Sequence, residues 1–166
     1  MKRNIHMSLL TLLMVCILGI GNDAKSQSDF SRNQFYKAMQ GKDEVAIDTQ
    51  LNILKDSQMQ ERVAFEGALF AKKASMQKKA HDKLKLFKKG AGNLQSAIKA
   101  DENNTEYRFL RLMIQEHAPK IVNYDNDLQK DSKFIRANFS SLSTELKKII
   151  KNYSKSSTIL KPEDFN

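Results

Sequence analysis

From Lys72 to Lys99 the chain places nine lysines against a single acid, Asp82. Charge of one sign at this density attracts anions, and the chemistry it offers is capture of acidic proteins, anionic lipid head groups or polysaccharides. The same lysines also serve as a solvated helix face whose aliphatic stems cover apolar surface. Within the run, Lys78, Lys85 and Lys89 are spaced by seven and four residues. On a helix that spacing stacks them in one strip, turned away from the direction set by Ala80, Leu84 and Phe87. Phe87 belongs to that apolar stripe, so the interleaved aromatics that would stack bases are missing and nucleic acid is not expected as a partner. Arg108 and Arg111 are the second pair of candidates. Their guanidinium forks suit a partner's carboxylate, or equally an internal acid such as Asp101 or a carbonyl at a helix end.

Little else in the sequence could do chemistry. His81 and His117 stand apart from each other and from any ligand at helical spacing, so no metal site is expected. The lone cysteine is Cys16, and no nucleophile elbow or glycine-rich phosphate loop follows it. Acids that stand close together, such as Glu61 with Glu66 and Asp125 with Asp127, read as helix-start or solvated carboxylates. A non-enzymatic protein is therefore expected, without cofactor or small-molecule substrate, acting on an unknown protein partner or on an anionic envelope component.

Residues 1–26 have the pattern of a secretory signal peptide: Lys2 and Arg3, an apolar run from Leu9 to Ile20, then Ala24-Lys25-Ser26 with small residues at the two positions a signal peptidase reads. A retained anchor is the alternative, but the run is shorter than the roughly 20 residues of a spanning helix. A lipoprotein anchored at Cys16 fits less well, since Val15 stands where a small residue belongs. Cleavage near Ser26 predicts a periplasmic or secreted chain. It removes Lys2, Arg3, Lys25 and Asp23, lowering the net charge from +9 to +7, and it removes the cysteine. Without disulfides, residues 27–166 must be held by packing, and their number suits one domain.

Helical spacing dominates that domain. Ser31 with Gln34 forms a capping box, flanked by the staple pair Phe30 and Phe35, and Gly41 ends the first helix. A second helix is predicted over 42–55, burying Val45, Ile47, Leu51 and Leu54, and a third over 58–75, opened by a Ser57–Gln60 box. Ala80, Leu84, Phe87, Ala91, Leu94 and Ile98 keep one phase through Gly90 and Gly92. One helix over 77–100 follows, with Gly90 as a C-terminal cap the alternative. Asn103 with Glu106 opens a central helix over 105–116, apolar over most of its circumference, with Arg108, Arg111 and Gln115 on a narrow polar strip. The stripe from Leu128 through Leu142 to Tyr153 predicts one long C-terminal helix over 126–156, and residues after Ser157 read as a loose tail.

The turn before the central helix resembles a tetratricopeptide repeat. Gly90 takes that motif's small position, Leu94 its bulky position and Ala97 its alanine, and Asp101-Glu102-Asn103-Asn104 matches its turn with Glu102 in place of proline. The match departs upstream at Gln77, Lys78 and His81, and no 34-residue period recurs. Through the run Glu106 to Leu112 the chain also resembles uncharacterised secreted helical proteins of Bacteroidetes-type bacteria. The resemblance implies an all-α array of antiparallel, TPR-like helical hairpins that binds other proteins.

Overall fold

In the computed structural model, which describes residues 30–165, Ser31 accepts a hydrogen bond from the Gln34 amide at 3.4 Å and so caps the first helix. The Phe30 and Phe35 rings close the staple with centroids 5.9 Å apart. The expected signal peptide lies outside the described residues. From this start the chain is all-α: α1 (Arg32–Gln40), α2 (Glu44–Lys55), α3 (Arg62–Met76), α4 (Ala80–Ala100), α5 (Thr105–His117), α6 (Leu128–Asn138) and α7 (Thr144–Ser154). Short 3-10 turns fall at Lys120–Val122, Phe139–Ser141 and Pro162–Phe165, and no strand occurs among the described residues.

The longest helix, α4, passes through both of its glycines, and only one of them is there for packing. A Cβ on Gly90 would stand 2.5 Å from the Gly67 carbonyl, and one on Gly67 would stand 2.8 Å from the Leu94 amide. The backbones of α3 and α4 touch at this crossing. Gly67 faces Leu94 while Ala71 faces Gly90, so the two helices run in opposite directions. A Cβ on Gly92, by contrast, would meet nothing within 4 Å.

Helix α5 is the centre of the packing, and every residue from Thr105 to Gln115 is buried. Its N-terminus is capped by Asn104, which accepts from the Tyr107 amide at 3.2 Å, one residue later than the expected Asn103. Edge-on aromatic contacts tie its neighbours together: Phe35 on α1 to Phe65 on α3, centroids 4.7 Å apart, and Phe109 on α5 to Tyr153 on α7 at 5.4 Å.

Four expectations are corrected. Val45 is 73% exposed, because the core-facing row of α2 runs through Ile47, Gln50 and Leu54. Helix α3 begins at Arg62 rather than near Gln58, since Ser57 spends its hydroxyl on a local turn to the Met59 amide at 3.2 Å. The single helix over 126–156 is two, α6 and α7. A 3-10 turn ends the first, and Ser143, accepting from the Leu146 amide at 3.2 Å, caps the second. The loose tail is ordered packing: Leu160 and Phe165 are buried, and Arg136 holds the segment through the Ile159 carbonyl at 2.7 Å and Asp164 at 2.8 Å.

Glu116, in the last turn of α5, fastens the same segment. Its carboxylate accepts from the Tyr153 hydroxyl at 2.7 Å, from the Ser157 and Thr158 hydroxyls at 2.8 Å each, and from the Thr158 amide. Burial works to raise its pKa, but these hydrogen bonds outweigh burial and bring it below the ordinary carboxylate value.

Candidate functional site

The first half of α4 carries the basic run, and it lies at the edge of the core. No residue from Ala80 to Lys89 is buried, and burial begins at Gly90. Lys78, Lys85 and Lys89 are exposed, as are Lys79, Lys83 and Lys88. Lys83 is exposed although it shares the helix face of Gly90 and Leu94, which places the first turn of the helix beyond the end of α3. Leu84 is 46% exposed in the same stretch, and Phe87, half-buried, rests edge-on against the Tyr124 ring at 5.2 Å.

Electrostatics at this end are unrelieved. The N-terminus of α4 has no side-chain cap, and its only acid in the first turn is Asp82. Lysines at 78, 79 and 83 therefore crowd the positive end of the helix dipole, where cations are disfavoured. On α3, Lys73 is neutralised by Asp48 at 2.5 Å and Glu44 at 3.5 Å. Lys72 has no such pairing among the described residues, and burial, then the charge of Lys42, lowers its pKa. Lys89 differs from Lys78 and Lys85 in one respect: its ammonium sits 3.7 Å over the Phe70 ring.

Arg108 and Arg111 are not on this surface. They are 6% and 3% exposed and converge on Asp131 of α6, which is fully buried. Arg111 binds it twice, Nε to Oδ2 at 2.7 Å and Nη2 to Oδ1 at 2.8 Å, while Arg108 Nη1 reaches Oδ1 at 3.1 Å. Arg111 also bonds Asp127 at 3.0 Å and Gln95 at 3.1 Å, and Arg108 bonds the Glu102 carbonyl at 2.6 and 2.9 Å. The polar strip expected on α5 is thus an internal clamp joining α4, α5 and α6. This removes the two arginines as partner-binding candidates, because their donors are consumed inside. The helix-end carbonyl was legible in the sequence; the acid is Asp131 rather than Asp101.

A second internal cluster has Glu106 at its centre, expected only as a capping residue. Arg32 Nε donates to both its oxygens at 3.1 Å and the Tyr36 hydroxyl to one at 3.1 Å. Burial raises the pKa of Glu106 and the Arg32 charge opposes that shift. Paired charge inside the domain therefore holds helices together, and unpaired charge gathers on α4.

Among the described residues no group of side chains could hold a metal ion, and no helix is long and apolar enough to cross a membrane. The chain matches no family model, no curated protein and no solved structure.

Proposed function

We propose that the protein is a non-enzymatic helical interaction module, of tetratricopeptide-like hairpin character and exported to the periplasm or beyond. In this reading the first half of α4 docks an acidic segment of a protein partner. The observation that carries it is the unburied stretch from Ala80 to Lys89, where uncompensated lysines surround an exposed leucine at a positive helix end. Carboxylates from a partner would relieve that crowding, and Leu84 would seat one apolar side chain. An anionic lipid surface is the weaker occupant, since an interfacial helix needs a broad apolar face and Leu84 is the one large exposed apolar residue on α4.

The test compares two probes, an amphipathic glutamate-rich peptide carrying leucine at helical spacing and vesicles of phosphatidylglycerol. Changing Lys78, Lys85 and Lys89 together to glutamate lowers the charge of residues 27–166 from +7 to +1. Peptide binding that weakens with salt, disappears in the triple variant and falls in Leu84→Ser is the expected result. Binding to vesicles alone transfers the site to envelope lipids. Affinity for either probe that is unchanged in the triple variant at low and moderate salt leaves the lysines as solubilising surface.

A further inference from the structure

Helices α1 and α7 border a groove of about 570 Å³ that is open to solvent and within the roughly 300–1,000 Å³ of small-molecule clefts. Its α1 wall is made by Asn33, Lys37 and Gln40, whose spacings of four and three put them on one helix face. Its α7 wall is made by Lys148 and Asn152, one turn apart. All five residues are exposed. Tyr36 and Ile149 also line the groove, and they are 2% and 7% exposed. The Tyr36 hydroxyl is engaged by Glu106 at 3.1 Å, which leaves its ring and the Ile149 side chain as an apolar floor.

Charge along this lining has one sign. Lys37 and Lys148 contribute to it, one from each helix, and no acid does. Neither ammonium has an ion-pair partner among the described residues. Glu145, in the first turn of α7, stands outside the lining, and Asn33 Nδ2 donates to its Oε1 at 2.9 Å. The side-chain amides of Gln40 and Asn152 make no hydrogen bond among the described residues, so each offers N–H donors and an acceptor oxygen to the groove. A ligand that suits these groups carries negative charge for the ammoniums and hydroxyls for the amides, since a hydroxyl both donates and accepts. A peptide helix suits them less well. It needs pockets for apolar anchors one turn apart, and Tyr36 and Ile149 leave almost no surface to form one.

We propose that the groove between α1 and α7 binds an acidic sugar, a short uronic-acid oligosaccharide. Its carboxylates pair with Lys37 and Lys148, its hydroxyls bond Gln40 and Asn152, and the C–H face of a ring rests on Tyr36 and Ile149. The site shares no residue with the basic half of α4 and stands or falls without it. No spacing in the sequence announced it, because its two walls lie on the first and the seventh helix.

The experiment titrates digalacturonate, maltose and succinate separately into the full chain at low salt and follows side-chain amide shifts by heteronuclear NMR. Saturable shifts of the Gln40 and Asn152 amides are expected with digalacturonate. It should bind about tenfold more tightly than maltose, which lacks the charge, and severalfold more tightly than succinate, which lacks the hydroxyls. Lys37→Ala and Lys148→Ala should each weaken digalacturonate about tenfold and Asn152→Ala severalfold, while Lys85→Ala on α4 leaves its affinity unchanged. These positions are exposed, so the variants keep the fold. No saturable shift at millimolar digalacturonate, equal affinity for maltose or succinate, or an equal loss in Lys85→Ala each overturns the proposal. A glutamate-rich peptide that moves the same two amides where digalacturonate does not overturns it as well, and assigns the groove to an acidic protein segment.

Discussion

Helix α5 and the first half of α4 carry similar side-chain inventories, long cationic residues set among apolar ones, and the fold treats them in opposite ways. On α5 the cations are sealed inside against Asp131, and every residue from Thr105 to Gln115 is buried. On α4 nothing before Gly90 is buried, and the cations stand in solvent. What separates the two is the supply of acids from elsewhere in the chain. A guanidinium goes inside when a carboxylate comes with it, since burying a lone charge is far costlier than burying a bonded pair. The basic run of α4 has only Asp82 to offer, and so it stays out.

The largest test removes the acid that makes the difference. Asp131→Ala leaves Arg108 buried without a counter-charge and Arg111 with only the partly exposed Asp127, and should cost about 3–5 kcal/mol, read as a lowered urea midpoint. Asp131→Asn, which keeps an acceptor, should cost less. A midpoint unchanged in Asp131→Ala would mean that the clamp contributes nothing to holding α5 against α6.

Next comes the joint between the two regions, where α4 passes from exposed to buried at Gly90. Gly90→Ala drives a methyl into the α3 backbone and should cost about 1–3 kcal/mol by overpacking. Gly92→Ala, two residues further into open space, should instead stabilise by about 0.5–1 kcal/mol through helix propensity. Thermal melts of the pair would separate packing from propensity, and equal shifts would contradict the close crossing.

Acid should loosen α5 at its far end. Because the folded pKa of Glu116 lies below its ordinary 4.5, the carboxylate contributes stability that is fully present above that value and is lost as pH falls through the folded value. The protection factors of the amides of residues 157–160, their exchange rates divided into the intrinsic rate at each pH, should therefore fall on acidification below pH 4.5. Glu116→Gln should exchange faster already at neutral pH and lack that acid step.

The smallest effects are expected among the lysines. Lys78→Ala and Lys85→Ala should leave stability within about 0.5 kcal/mol, as for solvated side chains. Lys89→Ala should cost about 0.5–1 kcal/mol through its contact with Phe70. Equal values for all three would show that this contact does not form in solution.

How much of this was legible in the sequence depends on the distance over which each feature is decided. The Ser31 cap, the unbroken phase through Gly90 and the apolar circumference of α5 are local, and each was readable within a few turns. The break between α6 and α7 was hidden because Ile135, Leu142, Leu146 and Ile149 all face one core, so the apolar stripe keeps its phase while the backbone changes. Ser143 followed by Thr144 and Glu145 was the available signal, a capping residue with an acid in the first turn. The burial of Arg108 and Arg111 was not readable, since it depends on Asp131, 20 residues beyond Arg111 and on another helix. The ordered segment after Ser157 was missed for the same reason, its anchors Glu116 and Arg136 lying on α5 and α6.

The fastening of residues 157–165 to Glu116 and Arg136 also sets an order in time. A chain emerging from the ribosome makes α5 long before the groups that satisfy Glu116 exist, and the places of Leu160 and Phe165 in the core stay open until they arrive. Contacts so far apart in sequence close late. Cooperative locking therefore waits for the contacts of residues 157–165 with α5 and α6, and until they close the places of Leu160 and Phe165 leave the core incomplete.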